Sequence, residues 1–388
     1  MKRILNTALL LIIFSSLTAQ NFDDLSFGTD STFEVLTWNI EWFPKNGDIT
    51  VNNVKNIIKA LDVDVIAIQE VDDTIKFNKM VDSLENYVGY LKSSYFAGLA
   101  YIYKSDIIQI NSIYEIYTSQ PYWKIFPRSP MVMDMSFVDK RIIVINNHFK
   151  CCGDGILDID NPDDEEARRY KATNLLKQYI DTNFANENVI VLGDFNDILT
   201  DKTKNNVFQS IINDYENYYF ADFNIANGNS AGWSYPSWPS HLDHILITND
   251  LFDDFKNDAS VIQTIKIEEY ISGGWSAYDK DISDHRPEGI KLLMNKNVGV
   301  NSINKAKTHL VNYPNPFHST TKFSFEASNG LQEIKIINLQ GQTVFSKKIS
   351  KGQSSISWDG QNFPNGIYFA KLLLNNNEIA NTKLILIK

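Results

Sequence analysis

The sequence predicts a layered α/β domain with mixed sheets, followed by a small all-β sandwich. Three observations carry this. Apolar runs of strand length end in polar groups: VLTWN at Asn39, VIAIQE at Glu70, IIVINNH at His148 and VIVLGDFN at Asp194 and Asn196. Continuous apolar runs of this length mark strands buried on both faces. Helical periodicities lie between them, and alternation of strands with helices means layers. From residue 312 the pattern changes to short alternating strands split by Asn-Gly, Gly-Gln and Asn-Asn turns, as in a β-sandwich.

Each element has its own signal. Val51, Val54, Ile57, Ile58 and Leu61 share one helical face, with Asp48 or Thr50 placed to cap it. Phe77, Met80, Val81 and Leu84 form a second stripe. Residues 167–180 form a third, with Leu175, Leu176, Tyr179 and Ile180 near one face. Residues 96–103 and 128–137 read as further strands. Few residues separate them from their neighbours, so antiparallel pairing is expected and the sheets are mixed.

The chain has 388 residues, which predicts two domains. Residues 1–20 read as a secretory signal peptide: Lys2 and Arg3, then an apolar run over 8–14, then Thr18-Ala19-Gln20 with cleavage near Ala19. That run is too short to cross a bilayer. No Cys stands at the cleavage point for lipid attachment, and no other stretch predicts a transmembrane segment. Residues 21–32 are polar and expected to be loose. Residues 33–293 hold the strand-end motifs, 294–311 form an Asn/Lys-rich linker, and 312–388 form the sandwich.

Charge is unevenly placed. Residues 21–295 carry 23 Lys and Arg against 43 Asp and Glu, a net −20; residues 296–388 carry 11 against 4, a net +7. An acidic body argues against non-specific polyanion binding but admits an anionic substrate if a metal ion inverts the local field. The two cysteines, Cys151 and Cys152, are adjacent, which excludes a disulfide scaffold. A vicinal disulfide and two reduced thiols both remain open.

The strand-end residues suggest one shared site. Glu70 suits a Mg2+ or Ca2+ ligand, a solvated strand-end Glu being the plainer alternative. Asn39 can hydrogen-bond that carboxylate, touch the ion or simply start a turn. Asp194 and Asn196, two apart, can face one side; a carboxylate aligns a water and an amide donates to a phosphate oxygen, although Asp/Asn-rich turns are common. Asp243 and the Asp284-His285 pair belong together, because a carboxylate beside an imidazole sets its tautomer and raises its basicity. Asp284 is a further candidate metal ligand. His148 ends a strand of the series. His241, His244 and His318 do not, and are assigned core or surface roles. Arg128 can hold a phosphate bidentately or be a surface residue. The acidic run GDGILDIDNPDDEE (153–166) lacks EF-hand spacing and is expected to be a solvated, mobile loop rather than a Ca2+ site.

Taken in order, WNI, QE, NNHFK, GDFND, LDHI and SDHRP resemble the endonuclease/exonuclease/phosphatase family over about 33–293. The resemblance implies a four-layer α/β sandwich: two mixed β-sheets flanked by helices. It implies metal binding by Glu70 with Asn39 beside it and Asp284 helping, the ion being Mg2+, with Mn2+ and Ca2+ as alternatives. It places Asp194 on the attacking water, Asn196 and Arg128 on phosphate, His148 on the leaving-group side, and Asp243 paired with His285 as base or phosphate stabiliser. The implied activity is a metal-dependent phosphodiesterase, first of all a nuclease acting on DNA or RNA. A sphingomyelinase-like or small-molecule phosphatase activity is the alternative, and a catalytically dead adhesion module a third. Exposed-looking aromatics at 121–123 and 233–238 suit bases, lipid or the core equally.

YPNPF, NLQGQ and NGIYFAKL resemble the C-terminal sorting domain of the type IX secretion system over 312–388. This implies export through the periplasm, contact with that machinery, removal of the domain during export, and a secreted or cell-surface location. A monomer is expected.

Overall fold

The computed structural model describes residues 22–294 apart from 94–95, and residues 310–388 apart from 326, 328–330, 339–341 and 375–376. The expected signal peptide and almost all of the expected linker lie outside the described residues. The chain divides into two compact units at residues 296/297.

In the first unit, two six-stranded mixed sheets pack face to face. The strands are β1 (Phe33–Phe43), β2 (Val65–Val71), β3 (Tyr87–Tyr90), β4 (Gly98–Lys104), β5 (Gln109–Glu115), β6 (Met131–Phe137), β7 (Lys140–His148), β8 (Asn188–Asp194), β9 (Tyr218–Phe220), β10 (Asp243–Thr248), β11 (Val261–Thr264) and β12 (Glu288–Leu292). One sheet runs β11-β12-β1-β2-β4-β3, the other β5-β6-β7-β8-β10-β9. Each has one parallel pair at its centre, β1 with β2 and β7 with β8; the other pairings are antiparallel. A parallel pair needs a crossover. Helix α1 (Gly47–Leu61) supplies the first and α3 (Glu165–Asn183) the second, while α2 (Thr74–Val81) follows β2.

Alternation along the strands builds the layers. In β1, Val35 packs between the sheets with Val65, Met133, Val144, Ile190 and Ile245. Its neighbours Leu36, Trp38 and Ile40 face outward onto Val54, Ile57, Ile58 and Leu61 of α1. In the second sheet Ile143, Ile145, Val189 and Val191 face outward onto Ala172, Leu176 and Ile180 of α3. Side chains of period 2 meeting helical faces of period 3.6 give a four-layer α/β sandwich.

Several local expectations shift. Residues 22–32 are not loose: Phe22, Leu25 and Phe27 are buried in the outer core of the first sheet. Their apolar side chains, three among polar neighbours, outweigh the composition of the segment. Helix α1 starts at Gly47, ahead of the expected caps, and Thr50 Oγ1 instead accepts from the Asn46 N–H (2.7 Å). The strand expected from residue 128 begins at Met131, because Pro130 has no N–H to give a ladder.

The second unit holds β13 (Val311–Tyr313), β14 (Thr320–Ser324), β15 (Gln332–Ile337), β16 (Thr343–Ile349), β17 (Ser355–Asp359), β18 (Gly366–Leu374) and β19 (Asn377–Leu386). They form two antiparallel sheets, β13-β14-β17 and β16-β15-β18-β19, over a core with Phe317, Phe323, Ile334, Ile336, Trp358 and Leu384.

Candidate active site

The strand-end residues meet at one rim. β1, β2, β7 and β8 all end there, and the antiparallel partners β10 and β12 begin there. Register makes this concrete: His148 is opposite Asp194, Asp194 is opposite Asp243, and Asn39 is opposite Gln69, next to Glu70. The two central strands approach closely at Gly193. Its φ is +145°, and a Cβ there would lie 2.0 Å from the Asn147 carbonyl oxygen, so only glycine fits.

The side chains line a cleft of about 360 Å3. Its wall includes Asn39, Glu70, His148, Asp194, Asn196, Asp284 and His285. Asn39 Nδ2 donates to Glu70 Oε1 (3.3 Å) and to Asp194 Oδ2 (3.0 Å), joining the two sheets through one amide. His148 Nε2 lies 3.5 Å from Asp194 Oδ2 and 3.7 Å from Glu70 Oε1. His285 Nδ1 sits 2.7 Å from Asp243 Oδ2, while its Nε2 faces Asp194 Oδ2 at 3.8 Å and Asp284 Oδ1 at 3.9 Å. Asn196 has φ +52° and donates its backbone N–H to Asp194 Oδ1 (3.0 Å). Asp243 stands behind the wall, fully buried, and reaches the cleft only through His285. Arg128 does not line the cleft; its Nε donates to the Ala97 carbonyl (3.2 Å).

Left-handed backbone clusters here. Glu41 (φ +38°), Trp42 (+46°) and Glu70 (+65°) are all non-glycine residues in that region. Such conformations persist where surrounding contacts over-determine them. The Trp42 N–H donates to Glu70 Oε2 (3.0 Å) and the Glu41 N–H to Asn39 Oδ1 (3.0 Å). Glu41 was not anticipated. Its carboxylate accepts the Asp284 N–H (2.8 Å) and pairs with Lys45. It lies two residues past Asn39 in the same WNIEW segment, a place in the sequence that could have drawn attention to it. Gln69 and Asn146 bond to each other between the sheets (2.8 Å); both stand inside the strand-end motifs VIAIQE and IIVINNH, where the residues that follow them, Glu70 and His148, carry the stronger signal.

Residues 36–285 match the model of the Endonuclease/Exonuclease/phosphatase family, and residues 311–388 that of the Secretion system C-terminal sorting domain. The chain belongs to the endonuclease/exonuclease/phosphatase family. It is similar in fold to TDP2 from D. rerio, complexed with a single-strand DNA product (12% identity, 68% of this chain and 99% of that one, TM-score 0.50). It is also similar to a family member from Bacteroides vulgatus (16%, 67% and 98%, TM-score 0.47) and to the human Nocturnin catalytic domain with bound sulfate (15%, 68% and 94%, TM-score 0.47). No curated protein sequence matches. The sorting domain indicates export to the cell surface or beyond. Among the described residues no helix is long and apolar enough to cross a membrane.

Within this family member the cleft is electrostatically crowded. Burial pushes the Asp194 carboxyl up to about 7, His285 opposing and Asp243 and Glu70 adding to the rise. Burial alone would lower His285, but the Asp243 and Asp194 carboxylates hold it up at about 10, so it is an imidazolium at neutral pH. His148 goes the other way, pushed well down by burial and by the positive charges of Arg128 and His285. The two imidazoles of one cleft are thus shifted in opposite directions. Glu41, raised by burial and by Asp284, adds to a set of carboxylates with too few cations. Asp243 Oδ1 is buried with no hydrogen-bond partner among the described residues. Oxygen donors in excess of local positive charge fit a hard divalent cation.

His241 and His244 are buried in the core. His244 Nδ1 contacts Asp222 Oδ2 (2.6 Å) and its Nε2 the Asp197 carbonyl (2.9 Å), while His241 Nδ1 accepts the Ser234 N–H (3.2 Å). Cys151 and Cys152 are exposed free thiols on the cleft wall, their sulfurs 2.9 Å apart.

Proposed function

We propose that this chain is a secreted, divalent-metal-dependent phosphodiesterase acting on nucleic acid. The observation that carries the reading is the convergence of Glu70, Asn39, Asp194, His148 and the Asp243–His285 pair in one cleft.

Glu70 and Asp284, with Asn39 beside them, would hold the cation, which we take to be Mg2+. Bound there, it would neutralise charge on the scissile phosphate as a Lewis acid. The rest of the chemistry falls to the protein. Asp194, with a carboxyl titrating near neutrality, orients the attacking water and takes up its proton. Asp243 keeps His285 oriented and charged, and the imidazolium stabilises the phosphate oxygens as charge develops. His148, neutral and nine-tenths buried, stands by Asp194 on the leaving-group side. Asn196 donates to a phosphate oxygen, and Arg128, outside the cleft wall, helps to keep His148 neutral.

Two exposed aromatics favour a nucleic acid over a small phosphoester. Trp42 is 50% and Trp238 78% exposed, and both line the cleft. Phe96, 63% exposed, packs on Trp42 with ring centroids 5.7 Å apart. Flat rings beside a phosphate site suit base stacking. Export by the type IX machinery through residues 312–388, after targeting by residues 1–20, would deliver the enzyme to extracellular substrate.

A substrate panel tests the reading: plasmid DNA, RNA, sphingomyelin and inositol phosphates, each with Mg2+ and with EDTA. Cleavage of DNA or RNA, abolished by EDTA, is expected. Cleavage of lipid or inositol phosphate alone overturns it.

A further inference from the structure

We propose that the loop 153–166 holds a Ca2+ ion, ligated by Asp154, Asp164 and Glu166 and separate from the catalytic cleft. Oxygens of these three carboxylates lie within 4.8 Å of one another. An acidic cluster alone says little, since exposed carboxylates are normally solvated.

The deciding group is Glu166. It is 2% exposed, and its Oε2 is buried without a hydrogen-bond partner among the described residues. Its Oε1 is already committed, to the Gly155 N–H (2.7 Å) and to the Arg169 guanidinium (3.1 Å). A buried, unsatisfied carboxylate oxygen beside two further carboxylates costs free energy unless a cation completes it. Arg169 does not supply that balance, because it is shared with Asp197 (2.7 Å) and with the carbonyls of Lys150 and Cys152 (2.8 and 2.7 Å). The backbone is shaped around the same carboxylate. Gly153 has φ +112°, and a Cβ there would lie 2.2 Å from Glu166 Oε1.

The donor set selects the ion. All three ligands are hard oxygens without imidazole, Asp154 from the loop, Asp164 from the N-cap of α3 and Glu166 from its first turn, and such a set suits Ca2+ in its irregular six- to eight-fold coordination better than Mg2+ or Zn2+. Through Arg169, bonded to the Lys150 and Cys152 carbonyls, the ion would brace Cys151 and Cys152, which form part of the cleft wall. Its role is to hold that wall, not to react.

Calorimetric titration of the metal-stripped full chain with CaCl2 tests this, in a Glu70→Ala, Asp284→Ala background that removes both carboxylate ligands of the cleft. Asp154→Asn is the clean variant, because Asp154 is exposed and Asn keeps the acceptor for the Ile156 N–H. Glu166→Gln is the second. One Ca2+ with a Kd of about 10⁻⁴–10⁻³ M is expected. Each variant should weaken it at least tenfold, and Mg2+ should bind at least tenfold more weakly. Saturating Ca2+ should also slow proteolysis within 153–166 in the parent and not in Asp154→Asn. A chain that binds no Ca2+, binds it unchanged in both variants, or binds Mg2+ equally well overturns the site.

Discussion

His285 Nδ1 and Asp243 Oδ2 lie 2.7 Å apart, and both residues are buried at the edge of the cleft. The carboxylate holds the ring in one orientation and keeps it charged. Asp243→Asn preserves shape but removes the charge that sustains the imidazolium, so kcat on bis-p-nitrophenyl phosphate is expected to fall roughly 10²–10⁴-fold with little change in KM. Steady-state kinetics, with circular dichroism to check the fold, measure this. Wild-type kcat in the Asn variant would take the pair out of the mechanism.

Glu70 accepts from Asn39 and from the Trp42 backbone while turning its carboxylate to the cleft. Glu70→Gln keeps an acceptor but loses the charge a divalent ion needs. EDTA is expected to abolish hydrolysis by the wild type, and Mg2+ or Mn2+ to restore it; neither ion should rescue the variant. Recovery of Glu70→Gln at millimolar Mg2+ would point to another ligand.

Trp42 and Trp238 are the exposed rings of the cleft wall. A stacked base contributes about 1–3 kcal/mol. Each Trp→Ala variant should therefore raise KM for a single-stranded oligonucleotide by roughly one to two orders of magnitude and leave bis-p-nitrophenyl phosphate unaffected. Equal losses on both substrates would mean the rings support the fold instead.

Tyr278 ties the outer core to the site. Its hydroxyl accepts from Trp38 Nε1 (3.0 Å) and donates to the His285 carbonyl (2.6 Å), fully buried. Tyr278→Phe leaves both partners unsatisfied, a cost of about 1–3 kcal/mol. Urea unfolding of wild type and variant gives the number directly, and a loss below about 0.5 kcal/mol would show that water replaces the hydroxyl.

Stability should also respond to pH through Glu34. Burial pushes its carboxyl up to about 7, the Thr32 hydrogen bond opposing and Asp64 adding to the rise. The unfolded chain loses this proton near 4.5, the folded chain only near 7. Folding therefore takes up a proton across that window, and stability falls as pH rises through it. The Tm of Glu34→Gln should fall less than that of the wild type between pH 5 and 7.5. Parallel curves would show that Glu34 ionises normally.

Much of this was legible because it is local. An apolar run ending at Glu70 or Asp194 carries its own statement about burial and about which end reaches the rim, and the stripes at Val54–Leu61 and Phe77–Val81 name their buried faces. What failed was also local in origin. The polar composition of 21–32 hid Phe22, Leu25 and Phe27, and the charge of 153–166 hid the buried Glu166. In each case a few side chains found partners far along the chain that composition does not report.

By itself the sequence determined the layered class of the fold, the order of the strand-end residues and hence that they share a rim. Those properties follow from side-chain periods of 2 and 3.6, which a short window contains. Only the tertiary structure decided that Asn39 bridges Glu70 and Asp194, that Glu41 holds the Asp284 backbone, and that His285 and His148 are shifted in opposite directions. These contacts join residues 31 to 243 positions apart. They depend on strand register and on packing between the two sheets, which no local window encodes.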